Sequence, residues 1–223
     1  MKKVLFFTTV LFVGLLNAQD DTNDKLTIEK GMWNLSSNFS VGFNNTESAT
    51  LGTTTDNDFF TLSVSPAAGY AIRNNVLIGL GLGYSYQKSD STFENAVLEI
   101  RESEFSGTTF SIYPFIRRYF GLSKNFALFI QGEGRYGRAT NEQQVSDGTI
   151  RTIETASDNL FFGVRPGLTV FVSKNFALET SFGALGYNWS EVNRDDTDEK
   201  TTSNGFSFDL SSTELILGLS YYF

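Results

Sequence analysis

The 223-residue sequence contains no histidine, no cysteine and only three prolines. The missing histidine removes Ser-His-Asp hydrolysis, the commonest general base and the commonest metal ligand. Chemistry on this chain would have to use carboxylates, lysine or tyrosine alone, so no enzyme and no cofactor is expected. Without cysteine no disulfide staples the fold, which is compatible with an oxidising compartment without requiring one. The formal net charge is −8 and no run of basic residues interrupts it, which argues against a nucleic-acid partner. Beyond residue 18 the chain never supplies the roughly 20 consecutive apolar residues that a membrane-spanning helix needs.

What is abundant is aromatic: 22 phenylalanines and nine tyrosines. Aromatic residues with few breakers favour strands over helices. The first 18 residues differ from the rest. Lys2 and Lys3 precede an apolar stretch over residues 4–16, Ala18 offers a small residue at a cleavage point, and polar Gln19-Asp20-Asp21 follows. That is the layout of a secretory signal peptide. No cysteine follows the expected cut, so no lipid anchor is expected there. The chain is divided into a signal at 1–18, a short periplasmic N-terminal segment at 19–30 and one domain at 31–223.

Within that domain the hydropathy period is two. Counting back from Phe223, the residues Tyr221, Leu219, Leu217 and Leu215 alternate with Tyr222, Ser220, Gly218, Ile216 and Glu214. Trp33, Leu35, Phe39, Val41 and Phe43 alternate with polar residues, as do Phe60, Leu62, Val64, Pro66, Ala68 and Tyr70. Val76, Ile78, Leu80, Leu82, Tyr84 and Tyr86 follow, and three further segments centred near Ile112, Ile130 and Val164 repeat the pattern. A seventh, from Phe176, loses its phase after Phe182, which suggests a bulge. Strict alternation means strands with two different environments.

The connections also sort. Short turns fall at Arg73-Asn74-Asn75, from Gly121 to Asn125, and at Ser173-Lys174-Asn175; the others read as polar loops of about 15 to 20 residues, as in outer-membrane barrels. The three prolines, Pro66, Pro114 and Pro166, recur once per strand pair on the apolar face. These features predict an all-β fold: a closed eight-stranded antiparallel up-and-down transmembrane β-barrel, because only a helix or a closed sheet satisfies the backbone in hydrocarbon. Tyr70, Tyr119, Phe126, Phe176, Tyr221 and Phe223 are expected to form an outward belt at the turn end. Phe43, Phe60, Tyr84, Tyr86, Tyr136 and Phe162 are expected to do so at the loop end.

The inward set contains Arg117, Glu133, Arg135, Arg165, Glu179 and Glu214 among serine, threonine, glycine and glutamine. Buried charges must pair, so an interior charge network is expected. Eight strands leave an interior just wide enough for side chains to fill. The leading functional expectation is a structural or surface-interaction barrel of the cell envelope. A narrow porin for small solutes and a soluble lipocalin-like ligand carrier are the alternatives.

Three motifs mimic chemistry. Gly79-x-Gly81-x-Gly83 places glycine at every second residue inside a strand with no helix following, unlike a nucleotide loop. Ser85-x-x-Lys88 has neither the helix nor the partner motifs of penicillin-binding enzymes. The acidic cluster from Asp195 to Glu199 lacks the spacing and glycine of a calcium loop and reads as a solvated tip, although such carboxylates could bridge through cations to anionic surface lipid.

The signal peptide, the eight alternating segments and the ending Leu217-Gly218-Leu219-Ser220-Tyr221-Tyr222-Phe223 resemble small outer-membrane barrels of the OmpA/OmpX type within the porin family. The resemblance is greatest to the outer membrane β-barrel domain proteins common in Bacteroidetes. It implies integral residence in a Gram-negative outer membrane with both termini in the periplasm. It also implies a C-terminal assembly signal formed by Leu215, Leu217, Leu219, Tyr221 and Phe223. Implied partners are outer-membrane lipids and, during biogenesis, the barrel-assembly machinery and periplasmic chaperones. The expected state is a monomer with no catalytic residues and no specified surface ligand. Barrel enzymes of similar size use a catalytic histidine, which is missing here.

Overall fold

The computed structural model describes residues 25–50, 53–95, 100–146, 150–194, 200–209 and 216–223. The expected signal peptide, the acidic cluster at 195–199, Glu214 and Leu215 lie outside the described residues. Ten strand segments form one antiparallel sheet: β1 (Trp33–Thr50), β2 (Thr53–Arg73), β3 (Val76–Asn95), β4 (Ile100–Gly121), β5 (Phe126–Ser146), β6 (Ile150–Phe171), β7 (Phe176–Ser181), β8 (Ala184–Arg194), β9 (Lys200–Asp209) and β10 (Ile216–Tyr222). Each pairs with its neighbour in sequence up to β6. Strand β6 then pairs with both β7 and β8, β8 pairs with β9, and β10 lies between β7 and β1. The sheet therefore closes on itself around eight positions, the seventh filled by β7 and β8 and the eighth by β9 and β10. Two reciprocal hydrogen bonds complete the closure at the chain end: Trp33 N–H donates to the Phe223 carbonyl at 2.7 Å, and Phe223 N–H returns one at 3.0 Å.

The apolar members of the alternation face outward. Leu35, Phe39, Leu80, Leu82, Phe110, Ile116, Leu217 and Leu219 are all exposed, and Phe43 is 79% exposed. Aromatic pairs stand at both margins of this band. Trp33 meets Tyr70 with ring centres 5.1 Å apart and Phe176 meets Tyr221 at 4.8 Å at the turn end; Phe43 meets Phe60, and Tyr84 meets Phe110, each at 5.1 Å at the loop end. One expected belt residue is misplaced: Tyr119 points inward and is 1% exposed. It follows the phase of Tyr113, Phe115 and Arg117 in β4, which fixes it on the lumen side.

The prolines have a local cause. Opposite Pro66 the β2–β3 ladder lapses between Val64 and Ala67, and opposite Pro114 the β4–β5 ladder lapses between Ile112 and Phe115, with register kept across both gaps. At Pro166 the partner strand itself breaks between Ser181 and Ala184, where the register shifts by one residue and Gly183 takes φ 65°. A proline lacks the donor that each lapse would orphan. The break after Phe182 is the irregularity that the sequence phase anticipates.

The long polar connections are not loops for most of their length. Strands β1 to β6 run 18 to 22 residues, about twice the 9–11 that a tilted strand needs to cross a bilayer. The β1–β2 ladder continues to Thr50↔Thr53, and β5–β6 to Ser146↔Ile150. Threonine-rich polar strands are stable when paired, but their two faces are equally hydrophilic, so no hydropathy contrast marks them. In this extension Lys88 lies 2.9 Å from Glu104 and 3.2 Å from Asp90. Hydrogen bonds to Glu104 and then Asp90 raise its pKa.

The Gly79-x-Gly81-x-Gly83 run is a packing device. In the β3–β4 register Gly79 opposes Phe115 and Gly81 opposes Tyr113, and a Cβ at either glycine would overlap that ring. Gly167 stands in the same relation to Phe129. Inward aromatics thus lie flat over glycine backbone on the adjacent strand. Gly81→Ala is expected to lower stability by about 1–3 kcal/mol through overpacking. Gly205→Ala, where nothing lies within 4 Å, is expected to be near neutral; urea unfolding in lipid vesicles reads both.

Candidate functional site: the barrel interior

Alternation turns Arg117 of β4, Gln131, Glu133 and Arg135 of β5, Arg165 and Thr169 of β6, Glu179 of β7 and Tyr222 of β10 toward the axis. Of these, Arg117, Gln131, Glu133, Thr169, Glu179 and Tyr222 are buried. Their side chains make one continuous hydrogen-bonded path. Arg117 reaches across the lumen to Glu179, Nη1 to Oε2, at 2.7 Å. Its Nε and Nη2 both donate to Gln131 Oε1, at 2.9 and 2.8 Å. Gln131 Nε2 donates to Glu133 at 2.7 Å. The other oxygen of Glu133 receives Arg135 at 3.3 Å and Arg165 at 3.4 Å. Toward the turn end, Glu179 accepts from the Tyr222 hydroxyl at 2.8 Å and from Thr169 at 3.5 Å. The Tyr119 hydroxyl receives Arg117 Nη1 at 3.0 Å and lies 2.9 Å from the Tyr222 hydroxyl.

Five of the six interior charges named from sequence therefore meet in two linked groups, Arg117 with Glu179 and Glu133 with Arg135 and Arg165. Sequence reasoning missed Gln131, which joins the two groups; Tyr119 and Tyr222, which bond to Arg117 and Glu179; and the apolar half of the interior. Tyr113, Phe115, Phe129 and Phe171 are buried inward, and the guanidiniums stack on them: Arg117 lies 4.2 Å from the Phe129 ring centre and Arg135 4.0 Å from that of Tyr113. Cation–π contact adds about 2 kcal/mol for the buried Arg117 and less for Arg135, whose side chain is partly exposed. The signal was available, because each of these aromatics falls on the even-spaced lumen phase of its own strand.

The turn end is closed by the segment before β1. Ile28 is 1% exposed and belongs to the same buried cluster as Leu77, Tyr119, Phe171 and Tyr222. Its backbone is tied to the β2–β3 turn: Ile28 N–H donates to Asn75 Oδ1 at 2.8 Å, and Asn75 N–H donates to the Ile28 carbonyl at 2.8 Å. Lys30 N–H donates to Asn74 Oδ1 at 2.9 Å and Leu26 N–H to the Ser123 carbonyl at 2.8 Å. Asn75 adopts φ 61°, a left-handed conformation that asparagine tolerates.

The remaining space is small. A cavity of about 100 Å³ lies among Tyr113, Arg117, Gln131, Glu133, Arg165 and Glu179. A wider one of about 420 Å³ lies above it, lined by Ser63, Ser85, Thr109, Ser111, Asn159 and Asn188. Among the described residues no group of three acidic side chains is placed to hold a metal ion.

A closed antiparallel ring with an apolar, aromatic-margined exterior and a charged, hydrogen-bonded interior is an integral outer-membrane β-barrel. No family model matches the sequence, and no curated protein matches it. Among solved structures the chain is similar to a major outer membrane protein from Thermus thermophilus, at 13% identity and a TM-score of 0.46, over 87% of this chain and 100% of that one. It is also similar to the outer membrane protein OprG from Pseudomonas aeruginosa, at 11% identity and a TM-score of 0.40, over 87% and 97%. A third is Neisserial surface protein A, at 15% identity and a TM-score of 0.35, over 89% and 100%.

Removing one partner of the cross-lumen pair should cost more than removing both. Glu179→Ala leaves a buried, unpaired guanidinium and is expected to lose about 3–5 kcal/mol. The double variant Arg117→Met/Glu179→Leu is expected to lose less than that single change. Equilibrium unfolding in vesicles measures both.

Proposed function

We propose that this chain is a non-enzymatic structural and surface-interaction barrel, closed to solutes, that presents an extended polar sheet at the cell surface. The observation that carries this reading is the filled cross-section. Arg117, Gln131 and Glu179 bridge the lumen, aromatics pack around them, and Ile28 with its tethers covers the turn end. A solute would have to break several buried hydrogen bonds and displace that segment. The soluble-carrier alternative needs a wet exterior and an open ligand cavity, whereas the outward face here is an apolar band and Arg117, Gln131 and Glu179 cross the lumen.

The segment from Lys25 to Met32 and the chain end at Phe223 lie by the short turns, the end that this reading assigns to the periplasm. Leu217, Leu219 and Tyr221 line the outward face of β10 and Phe223 follows them, also exposed, where an assembly machine could read them during insertion. The barrel works as a monomer, since closure leaves it dependent on no second copy. The paired strands beyond the loop-end aromatics form the part available to lipids and surface partners.

The wider upper cavity is the feature that favours a narrow porin, and conductance separates the two. The purified barrel in planar bilayers is expected to give no stepwise current. Steady unitary conductance from the unmodified protein would establish the porin instead.

A further inference from the structure

Charge is divided unequally between the two ends of the barrel. At the turn end Lys25 and Lys30 flank Ile28, Arg73 ends β2, Arg118 nears the end of β4, Lys124 sits in the β4–β5 turn and Lys174 in the β6–β7 turn. All six are exposed, and Glu29 is the only exposed acidic side chain at that end among the described residues. The opposite end is acidic only on balance: its paired strands carry Asp56, Asp58, Asp90, Glu102, Glu104 and Glu142 among other carboxylates, which outnumber the cations Lys88, Arg138, Arg151, Arg194 and Lys200 there.

The depth of the cations is fixed by their neighbours. Arg73 follows Tyr70 by three residues, Lys124 precedes Phe126 by two and Lys174 precedes Phe176 by two. Arg118 is two residues from Phe120 on the same outward face, its guanidinium 6.0 Å from that ring centre. Lys30 is three residues before Trp33. Long cationic side chains at the aromatic margin of an apolar band reach the plane of the lipid phosphates.

We infer that Arg73, Arg118, Lys124 and Lys174, with Lys30 beside Trp33, form a cationic collar that selects anionic phospholipid headgroups in the leaflet facing the short turns. The selection is a summed field at phosphate depth, not a single pocket. Arg118, for example, also donates to the Asn74 carbonyl at 3.4 Å. Each basic group near an anionic surface contributes roughly a fivefold preference, screened beyond a Debye length. This inference rests on the reading that the apolar band is embedded in lipid.

The test uses the full chain refolded in phosphatidylcholine vesicles. Electron spin resonance measures the association of spin-labelled phosphatidylglycerol against spin-labelled phosphatidylcholine at the protein surface. The expected result is tighter association of phosphatidylglycerol, lost in about 1 M salt and reduced at least tenfold in Arg118→Gln/Lys124→Gln/Lys174→Gln. The corresponding Lys124→Arg/Lys174→Arg protein keeps the preference, and Lys88→Gln, at the other end, leaves it unchanged. Equal association of the two lipids with the unmodified protein, or an undiminished preference in the triple glutamine variant, overturns the collar. Heat-dependent gel mobility is read on every sample. A barrel that shifts on heating but shows no lipid preference refutes the collar alone, whereas no shift refutes the embedded barrel itself. Should the triple variant not fold, the salt titration of the unmodified protein decides.

Discussion

Hydrocarbon offers no hydrogen bonds, and the architecture follows from that one deprivation. Every backbone donor and acceptor at membrane depth must find its partner within the protein, at a cost of several kcal/mol for each one left over. A sheet can meet this only by closing, so β1 must find β10 as well as β2, and the Trp33–Phe223 pair sits where the ring is sealed. The placement of proline follows from the same demand. Pro66, Pro114 and Pro166 recur where a ladder lapses or its partner breaks, so a residue without a donor occupies a place where a donor would be stranded. Local irregularity then bends the sheet without leaving an orphaned N–H.

Closure creates a second problem, an interior that at the level of Arg117 and Glu133 is too wide to be left empty. The chain fills it with two kinds of matter. Aromatic rings lie over glycines on the adjacent strands, and charged groups satisfy one another across the axis. The two are coupled, because the guanidiniums of Arg117 and Arg135 use the aromatic faces as well as the carboxylates. Such an interior is costly to leave half-built: a lone buried charge is worse than none. Burial among rings and backbone confines the long side chains of Arg117, Gln131 and Glu133, an entropy cost that their hydrogen bonds must offset.

Much of this was legible in the sequence, for a specific reason. Lipid imposes a strong apolar demand on every second residue, so Leu80, Ile112, Ile130 and Leu217 declare both strand and face. The charged members of the opposite face, such as Arg117 and Glu179, stand out because they interrupt an otherwise small and polar set. Tyr119, Phe115 and Phe129 were harder to place, since an aromatic satisfies either a lipid face or a packed lumen and only its phase distinguishes them. The polar halves of β1 to β6 resemble loops in sequence because water lies on both sides of them, and alternation without a hydropathy contrast leaves no trace. Ile28 is hard to place for another reason: Leu26, Ile28 and Met32 in a short polar segment are too few to establish a period. Its role depends on Asn75 and Ser123, which are close only after the barrel has formed.

The central claim is directional: apolar residues meet acyl chains and the charged set meets the axis. The lack of native cysteine allows single cysteines to be introduced and labelled with a fluorophore at Leu80, Ile130 and Leu217, and at Gln131 and Thr169, in vesicles containing lipids brominated along the chain. Strong quenching at the first three positions and little at the last two is the result this structure requires. Quenching at Gln131 and Thr169 with Leu80 and Leu217 untouched would turn the barrel inside out and contradict the account.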